Sequence, residues 1–358
     1  MTILFFRYPL LIFLWCGLAF FSFVPESQPA APLAPNKSSV TSPPAGLRFS
    51  ATRPLPATIS EENAMFIAET AARLDALQTV IRSLIALPEV RIAVAIGTPS
   101  SQPTNLLALA HATARTTVLL RSKSRKNATA TVTIILENDN SALSREKRVR
   151  DALLHPDRLT LHEKTVLREK KLLEAIDAAL SPRSATMDNR DDASGKNLPD
   201  LLNELKALAI LTQILPLYDG LWKDPVAVRN AMQTALALAP DSALCRNAMG
   251  DASLQLGRSQ EAWEEQALAI RSAPDFARAF HSRGTAALAL GHLSSAVADF
   301  SEAIRLSPQT AAYYQARGMA RHLQGESRPM CEDLHRACTL GECKEFQWAV
   351  AESLCDSK

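Results

Sequence analysis

The chain is poor in aromatic residues, 6% of its 358 positions, and has almost no surplus of charge, with 39 basic side chains against 37 acidic ones. A net charge of +2 excludes the global field that would draw a protein to nucleic acid, so no nucleic-acid partner is expected. Catalytic signatures are missing as well. There is no nucleophile elbow, phosphate loop, His-Glu-x-x-His pair or Rossmann glycine run. The seven histidines are scattered, and His155 and His162, on either side of Pro156, read as surface residues. Asp191 and Asp192 lie in a polar stretch that would not hold them for acid–base work, and the carboxylates further on fall at solvent-facing helix positions. The chain is therefore read as a non-enzyme without a cofactor; the alternative, an enzyme with its site in residues 58–138, would need a pocket of convergent polar groups between Glu61 and Leu136.

What is present is Ala and Leu within a 47% apolar composition, which suits close-packed helices and predicts a mainly α fold. The N-terminus is the exception. From Tyr8 to Pro25 no residue is charged, a run long for a signal-peptide core and just long enough to span a bilayer. No small-x-small cleavage site follows it, and Arg7 ahead of it places that end in the cytoplasm. The expectation is a transmembrane or signal helix over residues 1–25. It gives a membrane-anchored chain with its folded part on the outer, periplasmic side, or a secreted or periplasmic chain after cleavage. Residues 26–57, rich in Pro, Ser and Ala, read as a linker.

Residues 58–138 read as a small α+β domain. Thr58 and Glu61 have capping-box spacing, and Leu74, Leu77, Ile81, Leu84 and Ile85 then recur at helical intervals. Val90, Ile92, Val94 and Ile96 alternate as a strand, Leu106–Ala114 is a short helix, and Thr117–Arg121 with Ala130–Leu136 form a hairpin. Arg121, Lys123, Arg125 and Lys126 cluster near its turn, as a solvated tip or a contact for anionic headgroups. Residues 139–180 are a charged helical segment broken at Pro156, with Thr160 and Glu163 again at capping-box spacing and a stripe of Val166, Leu167, Leu173 and Ile176. Residues 181–198 read as a second linker. The segment Ala71-Ala72-Arg73-Leu74-Asp75-Ala76-Leu77, with its valine strand and hairpin, resembles the small α+β domains of bacterial envelope lipoproteins and of flagellar accessory proteins. That resemblance implies an envelope-facing module and no particular chemistry.

A fixed period governs the rest. Pro240, Pro274 and Pro308 lie 34 residues apart, as do Gly250, Gly284 and Gly318, and then Gly257, Gly291 and Gly325. With Ala243 as position 1, small residues fall at position 8 (these first glycines), 20 (Ala262, Ala296) and 27 (Ala269, Ala303, Ala337), and bulky ones at 4 and 24. The third unit departs at Met330 and Glu342. The pattern resembles the tetratricopeptide repeat and implies a C-terminal α-solenoid of helical hairpins. Its parts are degenerate capping helices over 199–242, three repeats over 243–341, and a closing helix within 342–358. By analogy with that family, the first helix of each hairpin faces a concave groove for a protein or peptide partner. The lining residues are then Asn247, Asp251, Leu254, Gln255, Arg278, His281, Thr285, Leu288, Gln315, Met319, His322 and Leu323. Asn247 and Asp251 stand where the family's carboxylate clamp has Lys and Asn, which disfavours capture of a chaperone tail.

Four of the six cysteines, Cys331, Cys338, Cys343 and Cys355, crowd the last 28 residues. Cys331 and Cys338 share a helix at about 10.5 Å of rise, too far to bridge each other. Cys343 with Cys355 would pin the closing helix to the array, and Cys338 with Cys343 is a second pairing. A zinc site drawn from Cys331, His335, Cys338 and Cys343 matches no compact ligand spacing, so no metal is expected.

Overall fold

A computed structural model describes residues 46–54, 58–86, 90, 103–113, 116–124, 128–137, 159–180, 197–218 and 220–356. All of them fall in one compact unit, Ala45–Lys358. The apolar run Tyr8–Pro25 lies outside the described residues, as do Ile92–Ile96 of the expected strand, residues 139–158 and the tip residues Arg125 and Lys126. Val90 is buried in helical conformation. Among the described residues no helix is long and apolar enough to cross a membrane.

Three strands form the sheet, β1 (Gly46–Pro54), β2 (Thr116–Ser124) and β3 (Thr129–Glu137), in the antiparallel order β1-β3-β2. The β2–β3 hairpin is the one expected. β1 is a correction, because residues 46–54 read as the end of a linker. Phe49 and Ala51 turn inward while Ser50 and Thr52 meet Thr133 and Thr131 across β3, hydroxyl to hydroxyl at 2.7 and 2.8 Å. That two-residue alternation makes a strand despite the surrounding Pro-rich composition.

Helix α1 (Glu61–Ile85) covers one face of the sheet. Its cap is Ser60, whose hydroxyl accepts from the Asn63 amide at 3.2 Å, in place of Thr58; Glu61 and Glu62 complement the dipole in the first turn. The alanines of α1 allow close approach, with Ala64, Ala68, Ala71, Ala72 and Ala76 all buried. Arg121 and Lys123 of β2 reach Glu69 and Glu61 of α1, each at 2.6 Å, so this half of the basic tip is paired within the fold.

Helices α2 (Pro103–Thr113) and α3 (Thr160–Ala179) complete this layer. The N-cap of α3 is Leu159, and no side chain caps it, so the Thr160–Glu163 capping box does not form. The stripe on α3 packs on its own chain, with Leu172 buried where the sequence suggested Leu167. His162, expected at the surface, is buried against His111 of α2, the two Nδ1 atoms 3.1 Å apart. Arg73 of α1 lies 3.3 Å from Nε2 of His111 and 2.6 Å from the buried Glu169 carboxylate, which also accepts from Thr212 at 2.8 Å. Since Arg73 can only donate, His111 carries its proton on Nδ1 and donates it to His162. Burial first, then the Arg73 charge for His111 and the His111 charge for His162, lower both pKa values to about 3.

Four helical hairpins follow: α4 (Leu198–Ile214) with α5 (Pro225–Leu238), α6 (Ala243–Gln255) with α7 (Ser259–Ser272), α8 (Ala277–Ala289) with α9 (Leu293–Leu306), and α10 (Ala311–Gln324) with α11 (Ser327–Thr339). The closing helix is α12 (Lys344–Ala351). This is the stacked array that the tetratricopeptide resemblance implies. A methyl group at Gly284 would sit 2.7 Å from the Phe300 ring, and at Gly250 it would sit 2.6 Å from the Gln266 amide, so the position-8 glycine is the floor on which position 24 rests. Gly257, Gly291 and Gly325 end the first helices at φ +75°, +78° and +80°, the left-handed conformation that glycine adopts without steric cost.

One core runs from Ala51 of β1 through α1, α3, α4, α5 and α6 to Ala279 of α8. The α+β layer and the array therefore share an interior, and the polar stretch before α4 does not separate two cores. Arg168 of α3 grips Glu204 of α4 with two bonds of 2.6 and 2.8 Å at this junction.

The histidine pair generates an acid dependence. In the unfolded chain both imidazoles take a proton near pH 6.5, whereas in the fold they stay neutral down to about pH 3. Stability should be fully present above pH 6.5 and fall between pH 6.5 and 3, by up to about 1.4 kcal/mol per pH unit for each histidine. Urea unfolding at pH 7, 5.5 and 4.5 checks this. His162→Gln should lower stability at pH 7 and flatten the slope; an unchanged slope would remove the pair as its cause.

Candidate functional site

The candidate groove residues are not equally available to a partner. Asn247, Asp251 and Arg278 are brought together. Arg278 donates to Asn247 Oδ1 at 3.1 Å, to Asp251 Oδ2 at 2.7 Å and to the Tyr218 hydroxyl at 2.5 Å. Gln266 donates to Asp251 at 3.1 Å and accepts from Asn247 at 2.8 Å. Asn247 is fully buried, so it braces the inner face and does not line it, which corrects its assignment as a groove residue. Burial opposes the Arg278 charge, but Tyr218 and Asp251 outweigh it and hold the guanidinium ionised.

His281 sits between Phe300 and Tyr313, with ring centroids at 5.6 and 5.1 Å. Burial, and after it the Arg278 charge, lower its pKa to about 4, so it presents a neutral ring at neutral pH. The Thr285 hydroxyl is spent on the His281 carbonyl at 3.0 Å, and Met319 is buried, so neither offers its polar or apolar end to a partner. Leu254, Leu288 and Gln315 are half-buried, and His322 meets the edge of Trp348 of α12 at 5.5 Å. Leu323, 59% exposed, is the most open apolar side chain on these helices.

Two features escaped the sequence reading. The first is a clamp inside successive hairpins. Arg283 holds both oxygens of Asp299 at 2.9 and 2.6 Å, and Arg317 holds both oxygens of Asp333 at 2.9 and 2.7 Å, each pair 16 residues apart. In the first unit Arg246 reaches Glu265 at 2.8 Å. Asp299 and Asp333 are buried, which corrects the expectation that the array's carboxylates face solvent. The Arg-to-Asp spacing recurs in phase with the glycines and was legible. The second feature is the aromatic pair Tyr218 and Trp222 between α4 and α5. It seats on Arg278 and Gln255 and belongs to no repeat position.

The cysteines pair as Cys331–Cys355 and Cys338–Cys343. Cys343–Cys355 is therefore a correction. The chain beyond α12 turns back onto α11, bringing Cys355 to Cys331, while Cys343 stands one turn past the end of α11 beside Cys338. The second pairing drawn from the sequence is the one formed. With these thiols consumed, the candidate zinc site has no thiolates, and among the described residues no cluster of metal-ligating side chains remains. Cys245 is unpaired and buried, and burial pushes its pKa up to about 12, leaving an inert thiol.

No protein-family profile matches the chain, and no curated protein does. Solved structures similar to part of it include MamA, at 20% identity over 44% of this chain and 98% of that one with a TM-score of 0.33. MamA from Desulfovibrio magneticus RS-1 matches at 16% identity over 55% and 97%, TM-score 0.33. The first TPR domain of human RPAP3 matches at 16% over 38% and 94%, TM-score 0.27. Likenesses this partial carry no weight for function, and the architecture rests on the hairpins themselves.

The hairpin clamp is testable. Asp299→Ala strands a half-buried guanidinium and should destabilise the chain by about 1–3 kcal/mol in urea unfolding. Pairing Arg283→Met with Asp299→Leu should recover most of that loss, because removing both partners leaves no uncompensated charge.

Proposed function

We propose that this chain is a non-enzymatic adaptor of the cell envelope that binds a protein or peptide partner on the inner face of its helical array. One observation carries the reading: four stacked hairpins present a shared inner face, and where the second and third hairpins meet its polar groups are braced in advance by the Arg278 network. A surface braced before binding loses little further freedom when a partner docks. The same bracing argues against a carboxylate-binding groove, since the Arg278 guanidinium is already engaged by Asp251, Asn247 and Tyr218.

Two features favour the envelope. The uncharged run Tyr8–Pro25 has the length of a membrane anchor, and two disulfides suit an oxidising compartment. A second reading, a periplasmic or secreted peptide-binding protein released by cleavage after that run, uses the same inner face.

Capture from detergent-solubilised membranes with the full chain as bait tests the binding role. Gln315→Arg together with Leu323→Asp, on the open part of the inner face, should reduce the captured partner at least tenfold while the melting curve stays the same. Undiminished capture would move the binding role off the array. For the compartment, residues 1–57 fused ahead of a phosphatase active only after export should give active enzyme in membranes. Inactive fusion protein confined to the cytosol would overturn the envelope assignment, and a mature N-terminus near Ala30 would favour the released form.

A further inference from the structure

The connection between α4 and α5 does more than join them. Leu215–Leu217 forms a 3-10 turn, and Gly220, at φ +103°, lets the chain double back. Tyr218 and Trp222 then pair in an isolated antiparallel bridge with their rings 4.7 Å apart. This doubled segment lands on inner-face positions of the next two hairpins. The Gln255 side-chain amide accepts from the Trp222 backbone N–H at 2.8 Å and donates to the Trp222 carbonyl at 3.1 Å. Arg278 donates to the Tyr218 hydroxyl.

We propose that the Tyr218–Trp222 segment is an intramolecular occupant of the inner face, seated where a tightly turned partner segment carrying two aromatic residues four apart docks once it leaves. This rests on reading the array as a protein-binding scaffold. Gln255 grips the backbone of Trp222, a mode any peptide strand satisfies, so the seat is not specific to this segment's covalent connection. The receptor side stays ordered without it, because Arg278 keeps Asp251 and Asn247 and Asp251 keeps Gln266. The occupant itself is imperfectly satisfied. The Trp222 indole N–H is buried without a hydrogen-bond partner among the described residues, a cost that the closed state carries and that opening relieves. Leu221, between the two aromatics, is 52% exposed and adds nothing to the seat.

The test uses the full chain and a labelled synthetic peptide of residues 215–224 as probe. Tyr218→Ala with Trp222→Ala should open the seat, so that the variant binds the peptide at least tenfold more tightly than the wild type does. Adding Gln255→Ala and Arg278→Ala should abolish that gain. Equal binding to wild type and variant, or none to a variant that keeps its helical circular dichroism, overturns the proposal. Should the variant unfold, hydrogen exchange on the wild type decides. The Tyr218 and Trp222 amides, bonded to Leu215 and Gln255, should exchange at least tenfold faster than the buried amides of α6 and α8. Exchange at the rate of those helices would make the segment plain core and end the proposal. Loss of peptide binding alongside intact capture of a membrane partner would sink the device and leave the scaffold reading standing.

Discussion

In each full hairpin of the array, the two helices lie as close as a glycine at one position and a single side chain opposite it allow. Gly284 under Phe300, Gly250 under Gln266 and Gly318 under Leu334 set that distance, and a Cβ at any of them would meet the opposing side chain at 3.0 Å or less. Everything further out depends on this contact. It fixes the tilt of each first helix, hence the inner face those helices share, and it brings Arg283 within reach of Asp299 and Arg317 within reach of Asp333. The clamps are weak evidence of stability in themselves, because buried ion pairs repay little more than their desolvation. What they add is register: an Arg and an Asp that must meet permit one alignment of the two helices.

The unit with a polar residue at position 24 is also the one that carries the inner-face network. Gln266 replaces the Phe or Leu of the later units, and its amide joins Asn247 to Asp251. From there Arg278 extends the network to Tyr218, which belongs to the segment ahead of the array's first full unit. Packing between the helices and the inner-face network are thus joined at one residue. The residue that makes this hairpin less apolar also supplies the amide that orients Asn247 and Asp251, two of the acceptors of Arg278.

The array does not stand on a separate foundation. The core passes without interruption from the sheet through α1 and α3 into α4 and the first repeats, and Arg73, Glu169, Thr212 and the two histidines link polar groups of that layer across helices. A layer joined in this way gives the first hairpin an apolar neighbour, as a capping element of a repeat array must. At the far end α12 plays the same part, and the Cys331–Cys355 bond holds its tail to α11.

Periodicity was legible because each repeat solves the same packing problem with the same residues. The period of 34, the glycines at positions 8 and 15, the hairpin β2–β3 and the length of α1 could all be read from spacing. The Arg–Asp clamps were legible too, had the charges been aligned as the glycines were. Contacts between parts that share no period were not. No local pattern announces that residues 46–54 pair with β3, that His162 meets His111, that Tyr218 reaches Arg278 or that Cys331 pairs with Cys355. Each joins side chains far apart in sequence, through a meeting set by how whole helices lie against one another. The sequence by itself determined a helical repeat of known period and the kind of surface it offers. Only the tertiary structure decided which residues of that surface are free, because Asn247, Arg278 and the cysteines take their partners from neighbouring elements whose positions packing, and not spacing, dictates.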